Sequence, residues 1–172
     1  AKRKENKALL LKRLDAHVKT IVSRYKNDIV SWDVVNEVID ASEPDGLRRS
    51  KWFQIAGEDY LETAFRAARK AGGKKAKLYI NDYSTDDPAK RAALLRVVKR
   101  LIEKKVPIDG VGHQCHVNVD APAVGNIGES IKTFAELGLD NQITELDVSV
   151  YSDDATSYAK VPDDLIVRQG YR

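Results

Sequence analysis

Ser31-Trp32-Asp33-Val34-Val35-Asn36-Glu37 is a short apolar run, rich in β-branched residues, that ends in an amide and a carboxylate. A buried strand that delivers polar side chains at its C-terminal tip is how parallel α/β folds build their active sites. A second stretch answers it near the other end of the chain. There Ile143-Thr144-Glu145-Leu146-Asp147-Val148 reads as another short strand, again carrying a glutamate. A single glutamate at a strand end commonly caps a helix or pairs with a surface lysine. Two of them on two strands of one fold point instead to acid/base and nucleophilic work on a shared substrate.

Upstream of the first stretch, Leu10, Leu14, Val18, Ile21, Val22 and Tyr25 fall at three- and four-residue spacing, which predicts one amphipathic helix over residues 5–25. Its Lys and Arg residues read as a wet outer face, and His17, beside Val18, reads as a packing histidine. A strand over 29–37 follows, then a loop through Ser42, Glu43, Pro44, Asp45 and Gly46. A helix from Glu58 to Lys70 turns Tyr60, Leu61, Ala64, Phe65 and Ala68 inward and is closed by Gly72-Gly73. Lys77 to Asn81 predicts the second strand, ending in Asn81-Asp82-Tyr83. Pro88 suits the first turn of a helix that runs to about Lys105. Val106-Pro107 leads into a third strand around Val111, ending in Gly112-His113-Gln114-Cys115-His116. Asp120-Ala121-Pro122 and Gly125 mark a loop, Ile127 to Leu137 a helix stopped by Gly138, and Gln142 to Val150 the fourth strand. Another helix opens at Asp164. Strands alternating with helices predict a parallel sheet with right-handed crossovers, an α/β fold whose post-strand loops share one face.

The charges sort by position. Acids collect after the strands, at Glu37, Asp40, Glu43 and Asp45, at Asp82, Asp86 and Asp87, at Asp120, and at Glu145, Asp147, Asp153 and Asp154, whereas the helices collect Lys and Arg. An acidic face suits a neutral substrate whose transition state turns cationic, and it disfavours phosphates. No glycine-rich phosphate loop or dinucleotide fingerprint is present, which weakens a doubly wound nucleotide binder. The chain has 172 residues, 42% hydrophobic and 32% charged, which predicts one globular domain, 1–172. A net charge of +3 does not by itself point to nucleic acid. No apolar run approaches the about 20 residues of a membrane span, and no signal peptide is visible. There is no methionine, and both ends fall within helix-like sequence, as expected of an internal piece truncated at both ends. The one cysteine, Cys115, can form no intrachain disulfide.

His113, Cys115 and His116 have metal-ligand chemistry, but alternation along a strand puts His113 and Cys115 on one face and Gln114 and His116 on the other. The three therefore do not converge, and no metal site is expected. Gln114 and His116 make better sense as polar lining of a site, where a histidine donates one ring N–H to a carboxylate and holds it ionised. Asp147, two residues from Glu145, is placed to take the other ring N–H, giving a line Asp147–His116–Glu145. Trp32 and Trp52 read equally as core or as sugar platforms. Tyr83, just past a strand tip, is the better platform, because an aromatic face stacks on sugar C–H groups.

Taken together, Trp32-Asp33-Val34-Val35-Asn36-Glu37, Asn81-Asp82-Tyr83, Gly110-Val111-Gly112-His113-Gln114-Cys115-His116 and Ile143-Thr144-Glu145-Leu146-Asp147 resemble the family 10 glycoside hydrolases, the endo-β-1,4-xylanases. The resemblance covers nearly the whole chain. It implies a (β/α)8 TIM barrel, a retaining reaction, no cofactor, and xylan or xylo-oligosaccharide as partner, with no nucleic acid and no membrane. It also implies secretion, although the segment itself does not reveal a compartment. The roles it implies are Glu37 as acid/base, Glu145 as nucleophile, His116 orienting the nucleophile and Asp147 supporting His116. Asn36 would bond the sugar 2-hydroxyl, and Gln114, Tyr83 and Asn81 would contact substrate. On this alignment the chain supplies strands four to seven, a partial barrel. It lacks strands one to three, with the family's lysine and Trp-His-Ser motif, and strand eight with its tryptophans. The expectation is a retaining endo-xylanase catalytic segment. The alternative is an inactive half-barrel that binds glycan or assembles with the complementary part of the barrel.

Overall fold

The computed structural model describes residues 2–151 and 160–171. Its elements are α1 (Lys2–Tyr25), β1 (Ser31–Asn36), α2 (Lys51–Ala56), α3 (Asp59–Gly72), β2 (Lys77–Tyr83), α4 (Pro88–Glu103), β3 (Gly110–Asn118), α5 (Val124–Ala135), β4 (Asp140–Ser149) and α6 (Asp163–Tyr171). The strands lie in the order β1-β2-β3-β4, each parallel to the next. The alternation of strand and helix thus gives the parallel α/β sheet that the sequence predicts. The sheet curls: Ser31 on one edge strand donates a hydrogen bond to Gln142 on the other, 3.2 Å away. It is an arc of a barrel with its concave side inward.

The core lies between the sheet and the helices. Leu78, Ile80 and Val111 on the strands meet Leu61, Phe65, Leu94, Val97, Val98, Leu101 and Phe134 from the helix layer, all fully buried. Each such side chain contributes about 1.5–3 kcal/mol of transfer free energy. The inward set expected for α3 is buried as read, and Gly73, at φ 69, stops the helix where an L side chain would be strained. Asp87 caps α4 by accepting from the Lys90 N–H, with Pro88 in the first turn.

Three expectations need correction. The loop after β1 contains a short helix, α2, capped by the Ser50 side chain and ended by Gly57 at φ 65. Its six residues are too few to show a period. Second, His17 is exposed and does not pack. Leu10, Leu14 and Val18 share the face of α1 that meets the core, while His17 stands in line with Ile21, itself exposed as is Tyr25. Third, β3 runs on past the expected tip at His116 and pairs with β4 through Asn118 and Ser149. Asp153 and Asp154 fall outside the described residues. Among the described residues no helix is long and apolar enough to cross a membrane.

Candidate active site

Glu37 follows β1 directly and has φ 53; Glu145 sits in β4 with φ 51. A left-handed backbone is uncommon for a residue with a Cβ, and it persists only where the surroundings hold it. Here it breaks the alternation of side chains. Asn36 and Glu37 both face the concave side, and so do Thr144 and Glu145. The register shows the second break directly: Gln114 pairs with Thr144 and His116 with Asp147, so Glu145 and Leu146 together stand opposite Cys115.

The result is a connected set of polar groups. Asn81 Nδ2 donates to Asn36 Oδ1 and to Glu145 Oε1, each at 2.9 Å, and its Oδ1 accepts from the Thr144 hydroxyl at 2.6 Å. Gln114 Nε2 donates to Asn36 Oδ1 at 3.1 Å and makes a long contact of 3.5 Å to Glu37 Oε1. With two donors on its oxygen, the Asn36 amide is oriented so that its N–H groups remain for an occupant of the cleft. Asn81 is 1% exposed with its amide committed to Asn36, Glu145 and Thr144, so it lies under the floor of the site and holds Asn36 and Glu145. Gly112 is required beside it, because a Cβ there would come within 2.5 Å of Asn81 Oδ1.

His116 Nδ1 lies 2.5 Å from Asp147 Oδ2, and Nε2 lies 3.2 Å from Glu145 Oε2. The bond to Asp147, then that to Glu145, pushes the imidazole above the usual histidine range. Both ring nitrogens thus face carboxylate oxygens, which favours the protonated ring. Asp33 faces the same lumen. Burial, and after it the charge of Glu145, pushes its carboxyl up. Glu37, Arg48, Tyr83, Gln114, His116 and Glu145 line one open cleft of about 420 Å3.

Arg48 was not singled out by sequence reasoning. Its guanidinium donates to the Tyr83 hydroxyl at 2.8 Å and to Glu37 Oε2 at 3.3 Å. Together with Arg49, paired with Glu43 and Asp45, and Lys90, paired with Asp82, it corrects the picture of a uniformly acidic face. Three cations are interleaved with the acids. The only sequence signal was basic residues close to a strand end, and solvated surface gives the same signal. Trp32 packs against the core, whereas Trp52 stacks on Tyr60 and remains partly exposed.

His113 and His116 point to opposite faces of β3. The His113 ring is buried against Phe134, with Nδ1 accepting from the Thr85 hydroxyl and Nε2 facing Asn141 Oδ1, both at 2.8 Å. Burial pushes it below the usual histidine range, against the pull of Asn141. The unfolded chain takes up a proton near about pH 6.5 that the fold refuses, so this contribution to stability is present above that pH and lost as pH falls through the folded value. The raised His116 acts in the opposite sense, its contribution being lost as pH rises. Replacing His113 by Gln is expected to flatten the decline of melting temperature below about pH 6.5, with His116 common to both proteins. Parallel pH profiles for the two proteins would show that His113 is not the source.

A family model described as Glycosyl hydrolase family 10 matches residues 1–166. The chain is 57% identical over 173 residues to a thermostable celloxylanase of Thermoclostridium stercorarium, covering 99% of this chain and 45% of that protein. Xylanase B from Clostridium stercorarium F9 superposes with a TM-score of 0.95 at 56% identity, over 99% of this chain and 51% of that one. A further neighbour, a mutant solved in complex with xylotriose, gives 0.89 at 41% identity, over 96% of this chain and 51% of that one. The solved relatives are (β/α)8 barrels, and the chain spans about half the length of the relatives it matches.

Proposed function

The chain belongs to glycosyl hydrolase family 10, and on that premise we propose that it carries both catalytic carboxylates of a retaining endo-β-1,4-xylanase. The observation that carries this reading is the line Asp147–His116–Glu145, bound through Asn81 to Asn36 and opening on the same cleft as Glu37. Two carboxylates in one cleft, one held by an imidazole and an amide and the other facing an arginine, suit the division of labour that double displacement requires.

In the first step a Glu145 oxygen forms a bond to the anomeric carbon while the glycosidic C–O bond breaks. The departing oxygen takes the proton of Glu37. In the second step Glu37, now a carboxylate, removes a proton from water as the water oxygen bonds to the same carbon and Glu145 leaves. Two displacements at one centre return the original configuration. His116 and Asn81 hold Glu145 at a fixed angle, and His116 stabilises the negative charge that reappears on it in the second step. Asp147 fixes the ring. Arg48 faces the charge that Glu37 acquires when its proton leaves. Asn36 offers N–H donors to the 2-hydroxyl, where a hydrogen bond strengthens as positive charge develops on the sugar. Tyr83 and Gln114 offer stacking and polar contact. No step calls for a metal or an organic cofactor.

Proton NMR of xylo-oligosaccharide hydrolysis by the complete enzyme tests the reading. The β-anomer is expected to appear first and then mutarotate. First appearance of the α-anomer would mean a single displacement and reject the nucleophile.

A further inference from the structure

One buried charge pair takes no part in the steps above. Asp82, at the end of β2, is 0% exposed at its side chain, and Lys90, in the first turn of α4, is 9% exposed, with Nζ 2.8 Å from Asp82 Oδ1. Burial pushes the Asp82 carboxyl up, and the ammonium beside it opposes that. Withdrawing two charges from water is costly, so such a pair is weak evidence for stability and invites a reason of another kind.

Its other contacts supply one. Asp82 Oδ2 accepts from the Ile39 N–H at 2.9 Å, and Lys90 Nζ donates to the Ile39 carbonyl at 3.1 Å. The pair therefore takes both backbone groups of one residue, two positions after Glu37. Glu37 itself donates its N–H to the Asn81 carbonyl at 2.9 Å. The turn that holds Glu37 at φ 53 is thus clamped on both sides. The same pair grips Tyr83: its N–H donates to Asp82 Oδ1 at 3.0 Å, and its ring lies over the Lys90 ammonium, 3.6 Å from Nζ to the centroid. Across the top, Arg48 joins the Tyr83 hydroxyl to Glu37.

We propose that Asp82 and Lys90 are a positioning pair that fixes Glu37 and Tyr83 relative to each other, and so governs proton delivery to the leaving group but not attack by Glu145. The proposal rests on the reading of Glu37 as proton donor.

The test compares xylan with an aryl xylobioside whose phenol leaves without a proton. In the active enzyme, Lys90→Met is expected to lower kcat on xylan by about 100-fold, the scale of a small misplacement of a catalytic group. The first-step rate on the aryl glycoside should stay near that of the wild type, the same split that Glu37→Ala gives. Lys90→Arg, which keeps charge and donors, should recover most of the loss. Because Lys90→Met leaves a buried carboxylate unpaired, Asp82→Asn with Lys90→Met is measured beside it and should show the same split. Equal loss on both substrates, or undiminished turnover of xylan by the double variant, overturns the proposal. The wild-type protein gives an independent reading, since the Lys90 ε-methylene protons should be shifted upfield by the Tyr83 ring current. Their appearance at unstructured positions would also overturn it. If Glu37→Ala itself fails to separate the two substrates, the assignment of Glu37 falls and the proposal with it, whereas a split for Glu37→Ala alone rejects only the pair.

Discussion

Glu145→Ala in the complete enzyme is expected to lose turnover of every glycoside, by about 100,000-fold or more, because removing a covalent nucleophile takes the mechanism with it. Glu37→Ala is expected to behave differently on different substrates. On xylan the loss should be about 100- to 10,000-fold, the range that a positioned proton donor supplies. On an aryl xylobioside with a good leaving group the first step should survive, because the phenolate departs without a proton. The second step still lacks its base, so a burst of phenol followed by slow turnover is the signature. The asymmetry follows from the partners: Glu145 is fastened by His116 and Asn81, while Glu37 faces Arg48, which also bonds the Tyr83 hydroxyl. Stopped-flow release of phenol measures both phases. Equal loss on activated and natural substrates in both variants would reject the division of labour.

A polypeptide of these 172 residues alone is expected to show little or no xylanase activity, although both glutamates are in place. Holding a sugar in a near-attack geometry supplies as much as about 7–11 kcal/mol of an enzyme's effect. The chain spans about half the length of its relatives, and the resemblance to the family implies that a lysine, a histidine and tryptophans gripping the sugar come from strands outside these residues. Water also has access to the site from the open side. The side chains of Glu145 and His116 are 43% and 48% exposed, which weakens every charge interaction there. β1 and β4 are edge strands, with Val30 and Leu146 exposed beside them, so the isolated chain should self-associate. Mixing it with a polypeptide that bears the remaining strands should restore soluble, active enzyme. Wild-type-like release of reducing sugar by the purified monomeric chain would show that the missing wall is dispensable.

What the sequence made legible was whatever has a period or a fixed order. Alternating apolar runs and helical stripes placed β1, α3, β2, α4, β3 and β4, and the parallel sheet brings Glu37, Gln114, His116, Glu145 and Asp147 to one end of it, as the motifs implied. The details that escaped have no periodic signature. Plain alternation would send Thr144 and Glu145 to opposite faces. The left-handed backbone at Glu145 brings both inward, and a local conformation of that kind is imposed by tertiary contacts such as those to Asn81 and His116. A position in a motif says nothing of burial, and Asn81 lies beneath the floor of the site. Arg48 and Lys90 carry charges that resemble ordinary surface until the fold sets them against Glu37, Asp82 and Tyr83. His17 went the other way, a histidine beside an apolar stripe that faces water.

The central claim is that Glu145 becomes covalently glycosylated while Glu37 moves the proton. A xylobioside carrying fluorine at C2 and a good leaving group tests it most directly. The fluorine disfavours the positive charge of both transition states, while the leaving group keeps the first step fast enough for the intermediate to accumulate. Mass spectrometry of the treated enzyme should show the added mass of one glycosyl unit, and peptide mapping should place it on Glu145 with Glu37 unmodified. A label on Glu37, or hydrolysis of the probe without an adduct on any carboxylate, would contradict the account.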